Sequence, residues 1–391
     1  MMERKKVAIL LPWLKMGGTN KVAIRFMAEL VQFCDVTLIL SQNVGELLDD
    51  IPEGVRVVID EMIPFREMFK KDMKDFRIDY VLCDLIYYLK VKTGHDNIDN
   101  YRYIVERHPY IVEDKFDCAI SYHGQSPERL LNLLYRIHSK KKAVWIHGEM
   151  SFSEDKCRRL QKYYHFVDHF FFVSKPTQKS FSKVISFDEA KATVYYNPID
   201  KEEIIKKAQL SCIPQFSANY QNILTVGRIS SEKGQDMIPA ITRKLLDKGY
   251  VVRWYIIGDG NMRSKIEELI KKYDVSDSVI ILGTQTNPYC FMKACTIYVQ
   301  PSYTEGYSTT ICEAGMLGKA IIGTKPSGGI RDQITDGEDG LIVDATVDGI
   351  TEGIMELLNN TNIRRNFEEN ILKKNFEGKG EIKKFLNYLY N

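Results

Sequence analysis

Two glutamates seven residues apart, Glu305 and Glu313, have the type and spacing to bind the hydroxyl groups of a sugar. An apolar, β-branched run at 296–300 precedes them and predicts a buried strand, and a helical stretch follows. Glu305 then falls in the loop at the carboxyl end of a strand, where open α/β sheets bind ligands, and Glu313 falls inside the helix. Spacing alone allows a second interpretation just as well, in which both side chains are simply exposed to solvent.

The start of that helix predicts an anion site between the two acids. Ser308 or Thr309 could cap the helix, and the amides near Tyr307, Ser308 and Thr309 would have no partners within it. Such amides carry partial positive charge and suit a phosphate. The arrangement therefore predicts a diphosphate that bears a sugar on one side and a ribose on the other.

A basic loop at 227–234, with the sequence GRISSEKG, predicts a second set of phosphate contacts. It follows the predicted strand 222–226 and places Arg228 and Lys233 at the same sheet edge. Two cations on one short loop repel each other unless an anion, or Glu232, lies between them. A cluster of exposed surface charges is the alternative interpretation.

The remaining pattern predicts the elements that position these loops. Six strands alternate with helices after residue 222, which is typical of a doubly wound parallel sheet. The amino-terminal half predicts strands at 6–11, 36–40, 55–59, 117–121, 143–146 and 170–174, with a glycine-containing loop and a helix after the first. Residues 128–142 predict an apolar helix with a basic end, which either faces anionic lipid or packs on the core with a solvated basic face.

Composition excludes several classes of protein. The 391 residues predict two domains, the net charge of +2 argues against nucleic-acid binding, and no apolar run is long enough to span a membrane. The eight cysteines form no C-x-x-C and predict reduced thiols, no zinc site and a cytoplasmic protein. The G-x-G at 258–260 is too short for a nicotinamide fingerprint and predicts only a turn.

Taken together, Glu305-Gly306, Glu313-Ala314 and the G-R-x-S-x-E-K-G loop resemble the signature of retaining GT-B glycosyltransferases of family 4. The resemblance is dense over 222–345 and sparse in the first half. It implies two Rossmann-like parallel-sheet domains that face a central cleft. We expect an acceptor domain at 1–200, a donor domain at 201–374 and a carboxyl-terminal helix, about 375–391, that packs back on the first domain.

The resemblance also implies roles for individual residues. Catalysis would involve Glu305, which would bind donor-sugar hydroxyls, Arg228 and Lys233, which would neutralise the leaving diphosphate, and His147, which would touch the donor sugar. Glu313 would bind the ribose. The other implied donor contacts are Gly17, Gly18, Thr19, Gly227, Thr284, Gln285, Gly306, Tyr307, Ser308 and Thr309. The acid that usually follows the Gly-Gly loop is missing, and Asn20 stands nearby.

The implied activity is transfer of a hexosyl group from a nucleoside-diphosphate sugar, UDP-linked in our expectation, to a polysaccharide or lipid-linked oligosaccharide. No cofactor and no metal are expected, because fixed cations and helix amides would stabilise the leaving group. Contact with an anionic membrane at its inner face is a further expectation. The alternatives are an epimerase of the GT-B fold and a non-catalytic protein that binds nucleotide sugars.

Overall fold

The structure is a computed structural model, and it describes residues 4–60, 69–70, 73–78, 81–82, 85–86, 89, 98, 102, 105–106, 110–148, 150, 152–210, 216, 219–325, 328–378 and 380–391. Most of the segment 64–114, predicted to be irregular with helical stretches, lies outside these residues. So does most of the polar linker predicted at 211–220.

The chain divides into two compact units. The amino-terminal unit comprises Met1–Phe172, Gln178–Tyr195 and Ile382–Asn391, and the carboxyl-terminal unit comprises Val173–Thr177 and Tyr196–Glu381. The sequence places the boundary near Asp200, and the contacts divide the chain between Tyr195 and Tyr196.

The amino-terminal unit is built on a parallel sheet with the order β3-β2-β1-β4-β5-β6-β7. Its strands are β1 (Lys5–Leu11), β2 (Cys34–Leu40), β3 (Val55–Ile59), β4 (Lys115–Ser121), β5 (His138–Ile146), β6 (His169–Phe172) and β7 (Ala192–Val194). Its described helices include α1 (Gly18–Leu30), α2 (Pro127–Tyr135) and α3 (Glu154–Tyr164), and α4 (Lys175–Ser182) starts in the other unit.

The carboxyl-terminal unit has a second parallel sheet, with the order β10-β9-β8-β11-β12-β13. The strands are β8 (Gln221–Val226), β9 (Val252–Ile257), β10 (Val279–Gly283), β11 (Ile297–Gln300), β12 (Ile321–Thr324) and β13 (Leu341–Val343). The helices are α5 (Lys201–Gln209), α6 (Ile238–Asp247), α7 (Arg263–Lys272), α8 (Tyr289–Ala294), α9 (Thr309–Met316), α10 (Ile330–Gln333), α11 (Val347–Asn359) and α12 (Thr361–Ile371).

Both sheets therefore have the doubly wound arrangement that the alternating pattern predicts. Strands such as β1 and β8 are almost entirely buried, because helices cover both faces of a parallel sheet. In each sheet the strand order reverses beside the first strand. The reversal opens a crevice at the carboxyl ends of β1 and β4 in one unit, and of β8 and β11 in the other.

The last helix, α13 (Glu381–Tyr390), packs on the amino-terminal sheet. Phe385 is fully buried, and its ring lies 5.2 Å from Phe26 and 5.7 Å from Phe171. Lys384 Nζ donates to the Val194 carbonyl at 2.9 Å. The aromatic contacts explain how ten residues at the end of the chain join a unit that otherwise ends at residue 195.

The helix predicted at 128–142 is wrong in its second half. Helix α2 ends at Tyr135, and the basic run from His138 opens strand β5. Arg136 turns inward, where its two terminal nitrogens donate to the Asp60 carboxylate at 2.7 and 2.8 Å, and both side chains are 2% exposed. A buried guanidinium needs such a bidentate partner, so the basic face expected for lipid or solvent does not form.

Among the cysteines that the structure describes, Cys290 differs from the prediction. Five are free and buried, namely Cys34, Cys118, Cys157, Cys295 and Cys312. Cys290 is disulfide-bonded, contrary to the prediction that all eight are reduced. None of the helices in the described ranges has the length and apolar character of a membrane span.

Candidate active site

Two loops meet at the crevice of the carboxyl-terminal sheet. Residues 227–234 follow β8, and residues 301–308 follow β11, and these two strands are neighbours in the sheet. The loops are 70 to 80 residues apart in sequence. The reversal of strand order brings them together at a position where open α/β sheets bind ligands.

Main-chain contacts fasten the two loops to each other. The Glu232 carbonyl accepts hydrogen bonds from the amides of Tyr303, at 2.9 Å, and Thr304, at 3.3 Å. Gly234 has a left-handed φ of 67°, and a Cβ there would lie 2.1 Å from the Pro301 carbonyl oxygen. Only glycine permits both the conformation and the approach.

Lys233 and Glu305 form the central ion pair of these loops. Lys233 Nζ lies 2.6 Å from Glu305 Oε2, and their side chains are 20% and 13% exposed. Ser302 Oγ donates to the same oxygen at 3.2 Å. The hydrogen bonds to Glu305 from the described residues all reach Oε2, so Oε1 remains able to accept one.

Arg228 lies on the same loop but in a more open position. Its side chain is 69% exposed and donates to Glu232 Oε1 at 2.7 Å. Burial tends to raise the pKa of Glu232, but hydrogen bonds from Ser230, from the Glu232 main chain and from Arg228, together with the charge of Arg228, outweigh it and hold the pKa below its usual value. An exposed pair of this kind is worth little, so an anionic ligand could take Arg228 from Glu232 at small cost.

The G-x-G at 258–260 supports the basic loop. A Cβ on Gly258 would lie 2.0 Å from the Gly227 carbonyl oxygen, and one on Gly260 would lie 2.1 Å from that of Ile229. The Ile229 amide also donates to the Asp259 carbonyl at 2.9 Å. These glycines allow close packing of two loops, a role that the sequence analysis missed by interpreting them only as a turn.

The N-terminus of α9 differs from the sequence prediction. Ser308 caps the helix, since its Oγ accepts from the Ile311 amide, but its own amide donates to Gln333 Oε1 at 3.1 Å. Gln333 Nε2 in turn donates to the Ser308 carbonyl at 2.6 Å. The amides of Thr309 and Thr310, which have no intrahelical partner by position, are the ones left to meet a phosphate.

Glu313 is not a surface charge. It is 7% exposed, and the Tyr289 hydroxyl donates to its Oε1 at 3.3 Å. Solvation does not account for a carboxylate in this position, so the structure removes the interpretation of an exposed glutamate. Thr284 is exposed, and Gln285 folds back to donate to the Leu282 carbonyl at 2.8 Å.

A chain of buried side-chain hydrogen bonds was missed in the sequence. Tyr298 donates to Gln300 Oε1 at 2.8 Å, and Gln300 Nε2 donates to Ser302 Oγ at 2.9 Å. Thr310 Oγ1 donates to Gln300 Oε1 at 3.2 Å. The network connects Ser302, which contacts Glu305, to the first turn of α9. A glutamine at the end of an otherwise apolar strand was the available signal.

The Gly-Gly loop and His147 belong to the amino-terminal unit. Gly17 and Gly18 are exposed and Thr19 is partly buried at the start of α1. Asn20 is buried, with its Nδ2 donating to the Lys15 carbonyl at 2.8 Å and no hydrogen bond to its Oδ1 from the described residues.

The surroundings of His147 oppose protonation of its ring. Burial lowers its pKa well below the usual value, and the neighbouring His123 lowers it further, while a hydrogen bond with the Tyr122 main chain opposes both. Nε2 is buried and has no hydrogen-bond partner among the described residues. A ring whose protonation is opposed in this way is better suited to accept a hydrogen bond than to donate a proton near neutral pH.

The predicted site residues thus fall into two groups. Gly17, Gly18, Thr19 and His147 lie in the amino-terminal unit, and all the others lie in the carboxyl-terminal unit. Within the described ranges, no group of three or more His, Cys, Asp or Glu side chains could hold a metal ion.

Comparison with known proteins relates the carboxyl-terminal part of the chain to one family of enzymes. Residues 201–374 match the family model of glycosyl transferases group 1. An uncharacterized glycosyltransferase of Methanocaldococcus jannaschii is 27% identical over 57% of the chain and 59% of that protein. The Campylobacter jejuni N-acetylgalactosamine-N,N'-diacetylbacillosaminyl-diphospho-undecaprenol 4-alpha-N-acetylgalactosaminyltransferase is 27% identical over 50% of the chain and 52% of that protein. The chain thus spans about half the length of these relatives.

Among solved structures, Anabaena HepE in complex with UDP-glucose is similar with a TM-score of 0.72 at 16% identity. The similarity covers 99% of this chain and 100% of that one. At this identity the likeness concerns the fold. The two parallel-sheet units have the GT-B fold, and residues 201–374 match glycosyl transferases group 1.

Proposed function

We propose that the protein transfers a hexosyl group from a UDP-sugar to a hydroxyl of a growing polysaccharide or lipid-linked oligosaccharide, with retention of the anomeric configuration. The observation that carries the proposal is the Lys233–Glu305 pair at the crevice between β8 and β11. The family match over 201–374 supports sugar transfer, and UDP-glucose in the HepE complex supports the choice of nucleotide.

The donor would bind along the crevice. Lys233, Arg228 and the amides of Thr309 and Thr310 would contact the diphosphate, and Glu313 would accept hydrogen bonds from the ribose hydroxyls. Glu305 Oε1 would accept a hydrogen bond from the sugar. A diphosphate carries more negative charge than one carboxylate, so Lys233 can contact a phosphate oxygen while remaining beside Glu305.

The reaction would then need little from the protein beyond placement and charge. The bond between the anomeric carbon and the diphosphate oxygen breaks, and the acceptor oxygen bonds to the same face of that carbon. The acceptor proton passes to the departing diphosphate oxygen. Lys233, Arg228 and the α9 amides stabilise the charge that develops on the leaving group.

The activity test is release of nucleotide by the full chain from a panel of UDP- and GDP-sugars, with and without oligosaccharide and lipid-linked acceptors. We expect release that depends on an acceptor. Conversion to another nucleotide sugar without acceptor would instead identify an epimerase, and binding without turnover a non-catalytic protein. NMR of the product would show whether the anomeric configuration is retained.

The role of the central cation is tested by Lys233→Ala. Removing one group that stabilises transition-state charge should lower turnover about a hundredfold at saturating donor. Lys265→Ala is the matched control, because Lys265 is exposed on α7. A rate within twofold of the wild type would contradict the role of Lys233. Addition of EDTA should leave the rate unchanged, since we propose no metal in the reaction.

A further inference from the structure

The chain crosses between its two units at four places. Phe172 is followed by Val173, Thr177 by Gln178, Tyr195 by Tyr196 and Glu381 by Ile382, and in each case the two residues belong to different units. The segment Val173–Thr177 is the shortest piece. It is continuous at both ends with the amino-terminal unit, yet its contacts place it in the carboxyl-terminal unit.

Two hydroxyls of this segment hold one carbonyl of the candidate active site. Ser174 Oγ donates to the Gly306 carbonyl oxygen at 2.8 Å, and Thr177 Oγ1 lies 3.3 Å from the same oxygen. The two hydroxyl oxygens are 2.8 Å apart, and the Thr177 amide donates to Ser174 Oγ at 3.2 Å. Ser174 is fully buried and Thr177 is 2% exposed.

These bonds act on the main chain that carries Glu305. The Glu305 carbonyl accepts from the Gly329 amide at 3.1 Å, and the Gly306 carbonyl accepts from the two hydroxyls. A Cβ on Gly329 would lie 1.9 Å from the Gly306 oxygen. The two consecutive carbonyls after the Glu305 side chain are therefore fixed, one by Gly329 and one by the crossing segment.

The crossings at Tyr196 and Glu381 have contacts near the same loop. The Lys175 amide donates to Asp332 Oδ2 at 3.0 Å, and the Tyr196 hydroxyl donates to the same oxygen at 3.3 Å. The Tyr196 amide donates to Glu381 Oε2 at 2.9 Å, and the Tyr196 ring lies 5.4 Å from that of Tyr307. The crossing segments are thus attached beside residues 305–307.

We infer that Ser174 and Thr177 are positioning residues for Glu305, and that they connect its loop to one of the segments through which the two units are covalently joined. This inference rests on the proposed function, in which Glu305 touches the donor sugar. Because a hydroxyl–carbonyl bond is directional, its loss would let the peptide after Glu305 rotate and move the carboxylate from its place beside Lys233. A small displacement of the carboxylate should lower kcat more than it weakens binding of the donor.

The test uses Thr177→Val, Ser174→Ala and the double variant in the full chain. Thr177→Val keeps the shape of the side chain and removes its hydroxyl, and Thr177→Ser restores it. We expect each single variant to lower kcat about fivefold to tenfold, because each loses about one hydrogen bond. The KM for the donor should stay within twofold of the wild-type value. Ser182→Ala, at an exposed position on α4 whose hydroxyl bonds the Lys179 carbonyl, should match the wild type.

A second measurement does not depend on activity. Hydrogen exchange of the amides of residues 305–308 should accelerate at least fivefold in Thr177→Val and in the double variant, and should return to the wild-type rate in Thr177→Ser. Unchanged exchange in Thr177→Val would overturn the inference, whether or not the wild type transfers sugar. Absence of sugar transfer by the wild type would refute the proposed function separately. A fall in thermal stability with normal kcat in the folded fraction would also overturn it, because the hydroxyls would then only support the fold.

Discussion

At the scale of single residues, the two cations of the basic loop differ in their burial and in the carboxylate that each contacts. Lys233 is mostly buried and already bonded to Glu305, whereas Arg228 is exposed and pairs with a carboxylate of its own loop. A charge pair shielded from water is screened less than an exposed one. Lys233 therefore has the more defined position, and its substitution should affect the reaction more than that of Arg228.

Glu313 gives a prediction about nucleotide binding. In Glu313→Ala the affinity for UDP should fall tenfold or more, because a hydrogen bond to a charged group contributes about 1.5–3 kcal/mol, and 1.4 kcal/mol corresponds to a factor of ten. Isothermal titration calorimetry measures this directly. Glu268→Ala, an exposed glutamate on α7, is the control. Equal UDP affinity in Glu313→Ala and the wild type would reject the ribose assignment.

At the scale of elements, the site depends on how closely loops approach one another. Gly234, Gly258 and Gly260 each face a carbonyl oxygen at a distance that no Cβ could occupy. Gly329 also faces a carbonyl oxygen too closely for a Cβ, although its φ of −73° is ordinary for any residue. At Gly329 the requirement for glycine is therefore space for the Gly306 carbonyl and not an unusual backbone angle.

Gly329→Ala tests this packing. The new methyl group would have to displace the Gly306 main chain, which cannot yield as a flexible side chain does, so we expect lower thermal stability and turnover reduced tenfold or more. Thermal unfolding followed by circular dichroism and the acceptor-dependent assay measure the two effects.

Gly249→Ala is the control for this variant. Its φ of 85° makes alanine strained by about 1–2 kcal/mol, but no atom lies within 4 Å of the added Cβ. It should lose stability without losing turnover in the folded fraction. Normal turnover in folded Gly329→Ala would show that the close approach does not position the reaction loop.

At the scale of the whole molecule, the two units differ in their response to acid. All seven histidines precede residue 173, so they belong to the amino-terminal unit. Burial lowers the pKa of His123 to about 4, with Arg129 adding to the effect, and burial also lowers the pKa of His147 well below its usual value. Burial and Lys141 lower the pKa of His169 to about 4 as well.

These shifts predict acid instability of that unit. Below pH 6.5 these histidines become protonated in the unfolded chain but stay neutral in the folded unit. The free energy of unfolding therefore falls as the pH falls toward 4. His123 and His147 should each contribute about 1.4 kcal/mol per pH unit. Urea unfolding at pH 7.0 and 5.5, with hydrogen exchange to separate the units, should show the loss in the amino-terminal unit.

Replacement of one histidine provides the check on this prediction. His123→Asn should reduce the pH dependence between 7.0 and 5.5 by about one third, if the three partly buried histidines, His123, His147 and His169, contribute equally. His165→Asn, at an exposed position, should leave it unchanged. Equal pH dependence in His123→Asn and the wild type would show that burial of this ring does not oppose its protonation.

The sequence by itself determined the elements and the chemistry that they carry. Alternating apolar runs and helical periods are local signals. They predicted the six strands of the carboxyl-terminal sheet, and the predicted strands 222–226 and 296–300 lie within one residue of β8 and β11. Strand–loop–helix order likewise placed Glu305, Lys233 and Gly17 at sheet edges. The local signal was ambiguous in the basic run after Tyr135, and the prediction of a helix there was wrong. Arg136 forms a buried ion pair, and the residues from His138 pair in the sheet as β5.

Only the tertiary structure decided which of these groups meet. Lys233 and Glu305 are 72 residues apart, and they pair because β11 lies beside β8. The occupation of the Ser308 amide by Gln333 and the contact of Ser174 with Gly306 depend on the same long-range arrangement. Local patterns specify a strand but not its neighbour in the sheet, and the neighbour sets the distances between the two loops of the site.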